Sequence, residues 1–148
     1  MRPGSATDEA AALREMSVRF YDAVNAIQRG DPAPASALWS RADDATYCAP
    51  SGAMVHGWSA LEGYWREAAA RAAQAEPLMA AAQFVVMVLG DQLGYTVGVE
   101  TVRRMDGSVL FVARATNVFR REAGGWRVVH RHADAAPFQP AAPPGTTR

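Results

Sequence analysis

Glu100 stands in the middle of Val97-Gly98-Val99-Glu100-Thr101. A carboxylate flanked by apolar residues in an extended run is expected to be drawn out of water, where it can serve as a general base. The competing reading is structural: the side chain faces solvent, or it pairs with an arginine such as Arg103 or Arg114. His130 and His132 alternate along another extended run, so both imidazoles leave the same face about 7 Å apart, given a rise of roughly 3.3 Å per residue. His130 is read as a proton carrier and His132 as a ligand-binding group, with a structural role for the pair as the alternative. Asp134 falls on that face as well, but His130 to Asp134 spans about 13 Å of strand, too far for three ligands of one ion at ~2 Å each. No metal and no cofactor is therefore expected. Cys48, the only cysteine, has no catalytic partner in sight and is read as packed.

Aromatic residues offer the walls of a binding site. Trp39, Tyr47, Trp58, Tyr64, Trp65 and Phe84 could line a cavity for a flat apolar molecule, although plain core packing is the better account of most of them, Tyr47 excepted. Tyr47, Trp58 and Trp65 are the ligand contacts expected among them.

The elements that position these residues follow from hydrophobic spacing. Leu13, Met16, Phe20, Val24 and Ile27 recur at three or four residues and draw one stripe along a helix between Thr7 and Arg29. Gly30 ends it, and Asp31-Pro32 opens a short second helix carrying Leu38 and Trp39 inward. Ala45 to Cys48 reads as a short strand, Pro50-Ser51-Gly52 as a turn, and Ser59 with Glu62 as the capping box of a third helix that buries Leu61, Trp65, Ala68 and Ala72. From Leu78 the period becomes extended. Four strands are expected, about Leu78 to Leu89, Gln92 to Arg104, Val109 to Arg121 and Gly125 to Ala133, joined by Gly90-Asp91, Asp106-Gly107 and Gly124-Gly125 into an antiparallel meander. Helices first and strands afterwards indicate an α+β fold. Residues 1–7 and the proline-bearing tail 137–148 are expected to be disordered around a single domain at 8–136.

Composition narrows the partners. A chain of 148 residues, 49% apolar and 20% charged, suits one globular domain. Basic and acidic residues number 15 each, so no positive excess exists to hold nucleic acid. The longest apolar stretch falls well short of the roughly 20 residues that cross a bilayer. A single cysteine and no apolar leader between Met1 and Ala12 suit the cytoplasm. Strands apolar on both faces, such as Leu78 to Leu89, need cover, so a homodimer is expected.

Two stretches carry a resemblance. Ala42-Asp43-Asp44-Ala45-Thr46 with Pro50, Gly52 and Gly57 resembles the segment after the second helix of steroid Δ-isomerases. Ala115-Thr116-Asn117-Val118-Phe119-Arg120-Arg121 followed by Gly125-Trp126-Arg127-Val128-Val129-His130-Arg131-His132 resembles the final hairpin of SnoaL-like domains, and is similar to the association domain of calcium/calmodulin-dependent kinases. Across roughly Met16 to Asp134 the chain is similar to the nuclear transport factor two-like superfamily. That resemblance implies helices held in a strongly curved, mostly antiparallel sheet, a cone with a pocket at one end. It also implies an acidic base at the position of Ala49 and a second acid at the position of Asn117. Neither residue titrates here, although the Asn117 amide can donate a hydrogen bond to an oxyanion.

Two functions follow. One is an isomerase, cyclase or dehydratase acting on an apolar carbonyl compound, with Glu100 or His130 moving the proton, Asn117 steadying the oxyanion, and Tyr47, Ala49, Trp58, Trp65 and His132 contacting the ligand. The alternative is a pocket or dimerisation domain without chemistry. Facing across the last hairpin depends on its turn: an even-numbered loop sets Asn117 opposite His130, an odd one sets it opposite Arg131 and turns the histidines to the other face. The even register is favoured, since it gathers an amide and two imidazoles.

Overall fold

The computed structural model describes residues 5–136. Its elements are α1 (Ala6–Gln28), α2 (Ala33–Leu38), β1 (Thr46–Cys48), β2 (Met54–His56), α3 (Trp58–Ala72), β3 (Leu78–Leu89), β4 (Leu93–Arg104), β5 (Val109–Glu122) and β6 (Gly125–Ala135). The six strands form one open sheet in the order β2-β1-β6-β5-β4-β3. This is the α+β cone expected, with every long strand within two residues of its anticipated bounds. The short β2, which sequence reading missed, pairs antiparallel with β1, and β1 runs parallel to β6.

Helix α1 lies along the sheet because its stripe is apolar: Leu13, Met16, Phe20 and Ile27 are all buried. Ser5 closes its first turn with a reciprocal capping box to Asp8, so the helix begins within the segment 1–7 that was expected to be disordered. The tail 137–148 lies outside the described residues. Near its other end, Asn25 bonds both the N–H and the C=O of Ala80 on the edge strand β3, at 2.8 and 2.9 Å. An amide mimics a missing strand neighbour there, and fixes how α1 crosses the sheet.

Glycine permits close approach at two points along β4. A Cβ on Gly94 would sit 2.4 Å from Leu13 Cδ2, and one on Gly98 would sit 2.4 Å from the carbonyl oxygen of Gln83. The third helix starts one residue before the anticipated cap. Gly57, at φ 86°, is its N-cap and no side chain bonds the first turn; Ser59 is exposed within it. Arg120 and Arg121 are half-buried and paired: Arg120 forks onto Asp44 at 2.7 and 3.0 Å and also bonds Glu122, while Arg121 pairs with Glu9.

The last hairpin decides which side chains face the helices. Its loop is two residues long, since Glu122 pairs with Gly125, and the even register holds as far as Phe119 opposite Val128. A β-bulge then leaves Val129 without a partner, and from Val118 opposite His130 onward the register moves by one. Asn117 faces Arg131, correcting the pairing with His130 that was favoured. The side-chain period of a strand is two, so one extra residue exchanges the faces.

Candidate functional site

Between the sheet and the helices lies a cavity of about 130 Å³ whose lining includes Phe20 and Ile27 of α1, Trp39, Tyr47, Tyr64 and Trp65, and Arg131 of β6. The aromatic walls brace one another. Trp65 packs edge-on against Tyr47 and Tyr64, with ring centroids 4.7 and 5.2 Å apart, and lies tilted against Trp39 at 5.5 Å. Such contacts fix the rings beyond what burial alone would do. The burial of Tyr47 pushes its hydroxyl up to about 12, so it stands as a neutral donor at ordinary pH.

The cavity has one charged lining residue, Arg131, whose guanidinium lies 5.3 Å from the Phe20 ring and 6.0 Å from that of Tyr47. Arg131 is 4% exposed, and burial of a charge demands a partner. Glu100 supplies it. Nη1 donates to Oε1 at 2.6 Å and Nη2 to Oε2 at 2.7 Å, a bidentate pair. Nη1 also donates to Asn117 Oδ1 at 3.1 Å, the Tyr21 hydroxyl donates to Glu100 Oε1 at 2.7 Å, and Asn117 Nδ2 reaches Tyr21 Oη and Thr96 Oγ1 at 3.4 and 3.3 Å. Burial works against the charge on Arg131, but Glu100 more than offsets it and holds the guanidinium above its ordinary value. Tyr21 is also raised, first by burial and then by the Glu100 charge.

Of its five N–H groups, Arg131 uses three in these bonds. Of the other two, on Nε and Nη2, one is left to the Tyr47 hydroxyl, which also bonds Arg131. The cavity therefore holds a cation already neutralised by Glu100, with one donor to spare. Nothing that lines it is a carboxylate, imidazole or thiol.

The expected site residues divide accordingly. Tyr47 and Trp65 line the cavity. Glu100 and Asn117 are buried behind Arg131 and are absent from the lining, so Glu100 pairs with an arginine, though neither of the two considered from sequence. Ala49 is buried between β1 and β2, and Trp58 lies half-buried at the rim of the core under the Arg41 guanidinium at 5.3 Å. His130 and His132 occupy the outer face of the sheet, away from Asn117. His130 Nδ1 lies 2.7 Å from Thr46 Oγ1, and His132 Nε2 lies 2.9 Å from Asp134 Oδ2. Arg131 and Tyr21 are the residues that sequence reading missed. Arg131 was present in the odd register as the partner of Asn117, and only the bulge brings it inward.

None of the curated proteins compared matches this chain. Solved structures do. An NTF2-like protein of unknown function from Pseudomonas putida superposes with a TM-score of 0.75 at 25% identity, over 92% of both chains. A proposed calcium/calmodulin-dependent protein kinase type II association domain from Thiobacillus denitrificans gives 0.68 at 26% identity, over 82% of this chain and 92% of that one. A proposed dehydratase of the NTF2-like family from Streptomyces avermitilis gives 0.72 at 22%, over 90% of this chain and all of that one. The resemblance noted in the last hairpin thus extends to the whole fold. The family model described as the SnoaL-like domain matches residues 17–137, and the chain belongs to that SnoaL-like, NTF2-like family.

Proposed function

We propose that this protein is a binding module for a small, largely apolar ring compound carrying an oxygen acceptor, and that it holds this ligand without acid-base turnover. The observation that carries the reading is the cavity lining: aromatic rings on its walls, one arginine with a donor left over, and no group able to take a proton at neutral pH. Glu100, the best candidate base, has both oxygens engaged by Arg131 and one also by Tyr21. An isomerase, cyclase or dehydratase needs a proton acceptor at the ligand, and the imidazoles that could serve are on the far face.

Size limits the ligand. An apolar cavity of about 150 Å³ is known to accept benzene, so 130 Å³ suits a single ring and excludes a steroid without rearrangement. Phenol, acetophenone, toluene and a steroid ketone make a discriminating panel. Phenol or acetophenone is expected to raise the melting temperature and shift the indole resonances of Trp39 and Trp65, with toluene weaker and the steroid inert. If no single-ring compound at millimolar concentration moves either readout, the reading fails.

A second copy of the chain is the proposed partner, in place of nucleic acid or membrane. The sheet's outer face carries Val85 at 59% exposure with Met79, Met87 and Val97 also exposed, an apolar surface large enough to need cover. No described helix is long and apolar enough to cross a membrane. A monomeric mass by light scattering at micromolar concentration would overturn the pairing. The reading includes cytoplasmic residence, for which the lone thiol is the support and cell fractionation the test.

A further inference from the structure

The outer face of the sheet brings together side chains that the cavity does not use. Tyr47 and Arg131 point inward, so their neighbours Thr46, Cys48, His130 and His132 share the opposite face. Cys48 is the register partner of His132, and Thr46 that of His130, across the parallel pairing of β1 with β6. The only cysteine and two of the three histidines of the chain therefore occupy adjacent positions on two hydrogen-bonded strands, outside the cavity.

One ring nitrogen of each imidazole is already engaged by a neighbouring oxygen. A ligating histidine commonly engages its other ring nitrogen with a carboxylate or another polar group, which fixes the tautomer and turns the free lone pair toward the ion. Here Thr46 Oγ1 lies against His130 Nδ1, and Asp134 Oδ2 against His132 Nε2. His130 Nε2 and His132 Nδ1 remain available. The ring centroids are 6.4 Å apart with planes at 90°, while two imidazoles on one ion at ~2.1 Å have centroids roughly 5 to 6.5 Å apart. Arg114 shares the depression beside Asp134; its charge repels a cation there and favours the Cys48 side. His56, on the same face one strand farther out, is ~10 Å from His130 across two strand spacings and is left aside.

We propose that Cys48, His130 and His132 form a surface site for a borderline-soft divalent cation of the zinc type, with water completing its coordination. No three such side chains converge among the described residues as they stand. Closing the site requires rotation of His132, whose side chain is 53% exposed, and of the half-buried Cys48. Two nitrogens and a sulfur match the ligand preference of zinc, and coordination sends the thiol proton to solvent.

Calorimetric titration of the full chain with zinc chloride, and optical titration with cobalt(II) as a spectroscopic substitute, test this directly. Saturable micromolar binding of zinc is expected, and cobalt should give tetrahedral bands with a thiolate charge-transfer band. His130→Gln and His132→Gln should each weaken binding by about tenfold or more. Cys48→Ser should abolish the charge-transfer band while leaving weaker imidazole binding. Melting curves of the three variants verify that each is folded. Absence of saturable binding below millimolar zinc, or affinity unchanged in both histidine variants, would overturn the proposal.

Discussion

Arg131 and Glu100 meet from strands that are not neighbours, reaching across β5 to form a bidentate ion pair at 2.6 and 2.7 Å with each side chain at most 5% exposed. A buried pair is costly to assemble and more costly to break singly, because the survivor is an unpaired charge in a low-dielectric interior. Arg131→Met is expected to destabilise the protein by about 3–5 kcal/mol. The double variant Arg131→Met with Glu100→Gln should recover much of that loss. Urea denaturation of the two single variants and the double forms the cycle; additive losses would show that the pair is not coupled.

Alkali should act on the buried phenols. Tyr47 is raised to about 12 from 10.0, mainly by burial, and Tyr21 is raised in the same direction. A group whose folded value lies above its unfolded value contributes stability below the unfolded value and loses it as pH rises through the folded one. Stability should therefore fall between pH 10 and 12, and Tyr47→Phe should lessen the fall. Chemical denaturation across that range checks the slope.

His130 acts at the other end of the scale. Burial, followed by the neighbouring His132, holds its imidazole below the ordinary 6.5. The neutral form is favoured in the folded protein, so this contribution is present above pH 6.5 and is lost as pH falls through the lowered value. His130→Gln should flatten the stability profile below pH 6.5 and leave it unchanged near pH 8. An equally steep profile in the variant would assign the acid sensitivity elsewhere.

Backbone approach at β4 leaves no room for a methyl group. Gly98→Ala would thrust a Cβ against the Gln83 carbonyl and the Phe84 Cβ, at 2.4 and 2.7 Å, and overpacking of that kind costs about 1–3 kcal/mol. Gly94→Ala meets the flexible end of Leu13 first and should cost less. Thermal melts of the two variants give the order; a Gly94 variant less stable than the Gly98 variant would contradict it.

Much of the fold was legible because its strands and helices obey simple periods. Leu13, Met16, Phe20 and Ile27 announce α1, and the glycine-bearing links announce the turns of the meander. The strand β2 was hidden because Met54–His56 is too short to display a period. The site was less legible. Glu100 stood out as a mid-strand carboxylate whose burial the sequence left open, but its partner lies 31 residues away, and a local bulge decides whether Arg131 or its histidine neighbours turn inward. A resemblance that aligns letters carries no information about an unpaired Val129.

That bulge gives the last hairpin a hidden parity. With Val129 absorbed outside the ladder, the interior receives a guanidinium, which grips oxygen but does not exchange protons. Were the same letters laid into an unbroken ladder, two imidazoles would enter beside Asn117 and the arginine would leave, exchanging a grip for a set of proton carriers. Deleting Val129 would keep every later side chain on its present face, whereas deleting one residue on either side while the bulge persists would invert them. In this chain the number of residues between the Gly124-Gly125 turn and the run His130-Arg131-His132, counted with the bulge, thus decides which chemistry faces the interior.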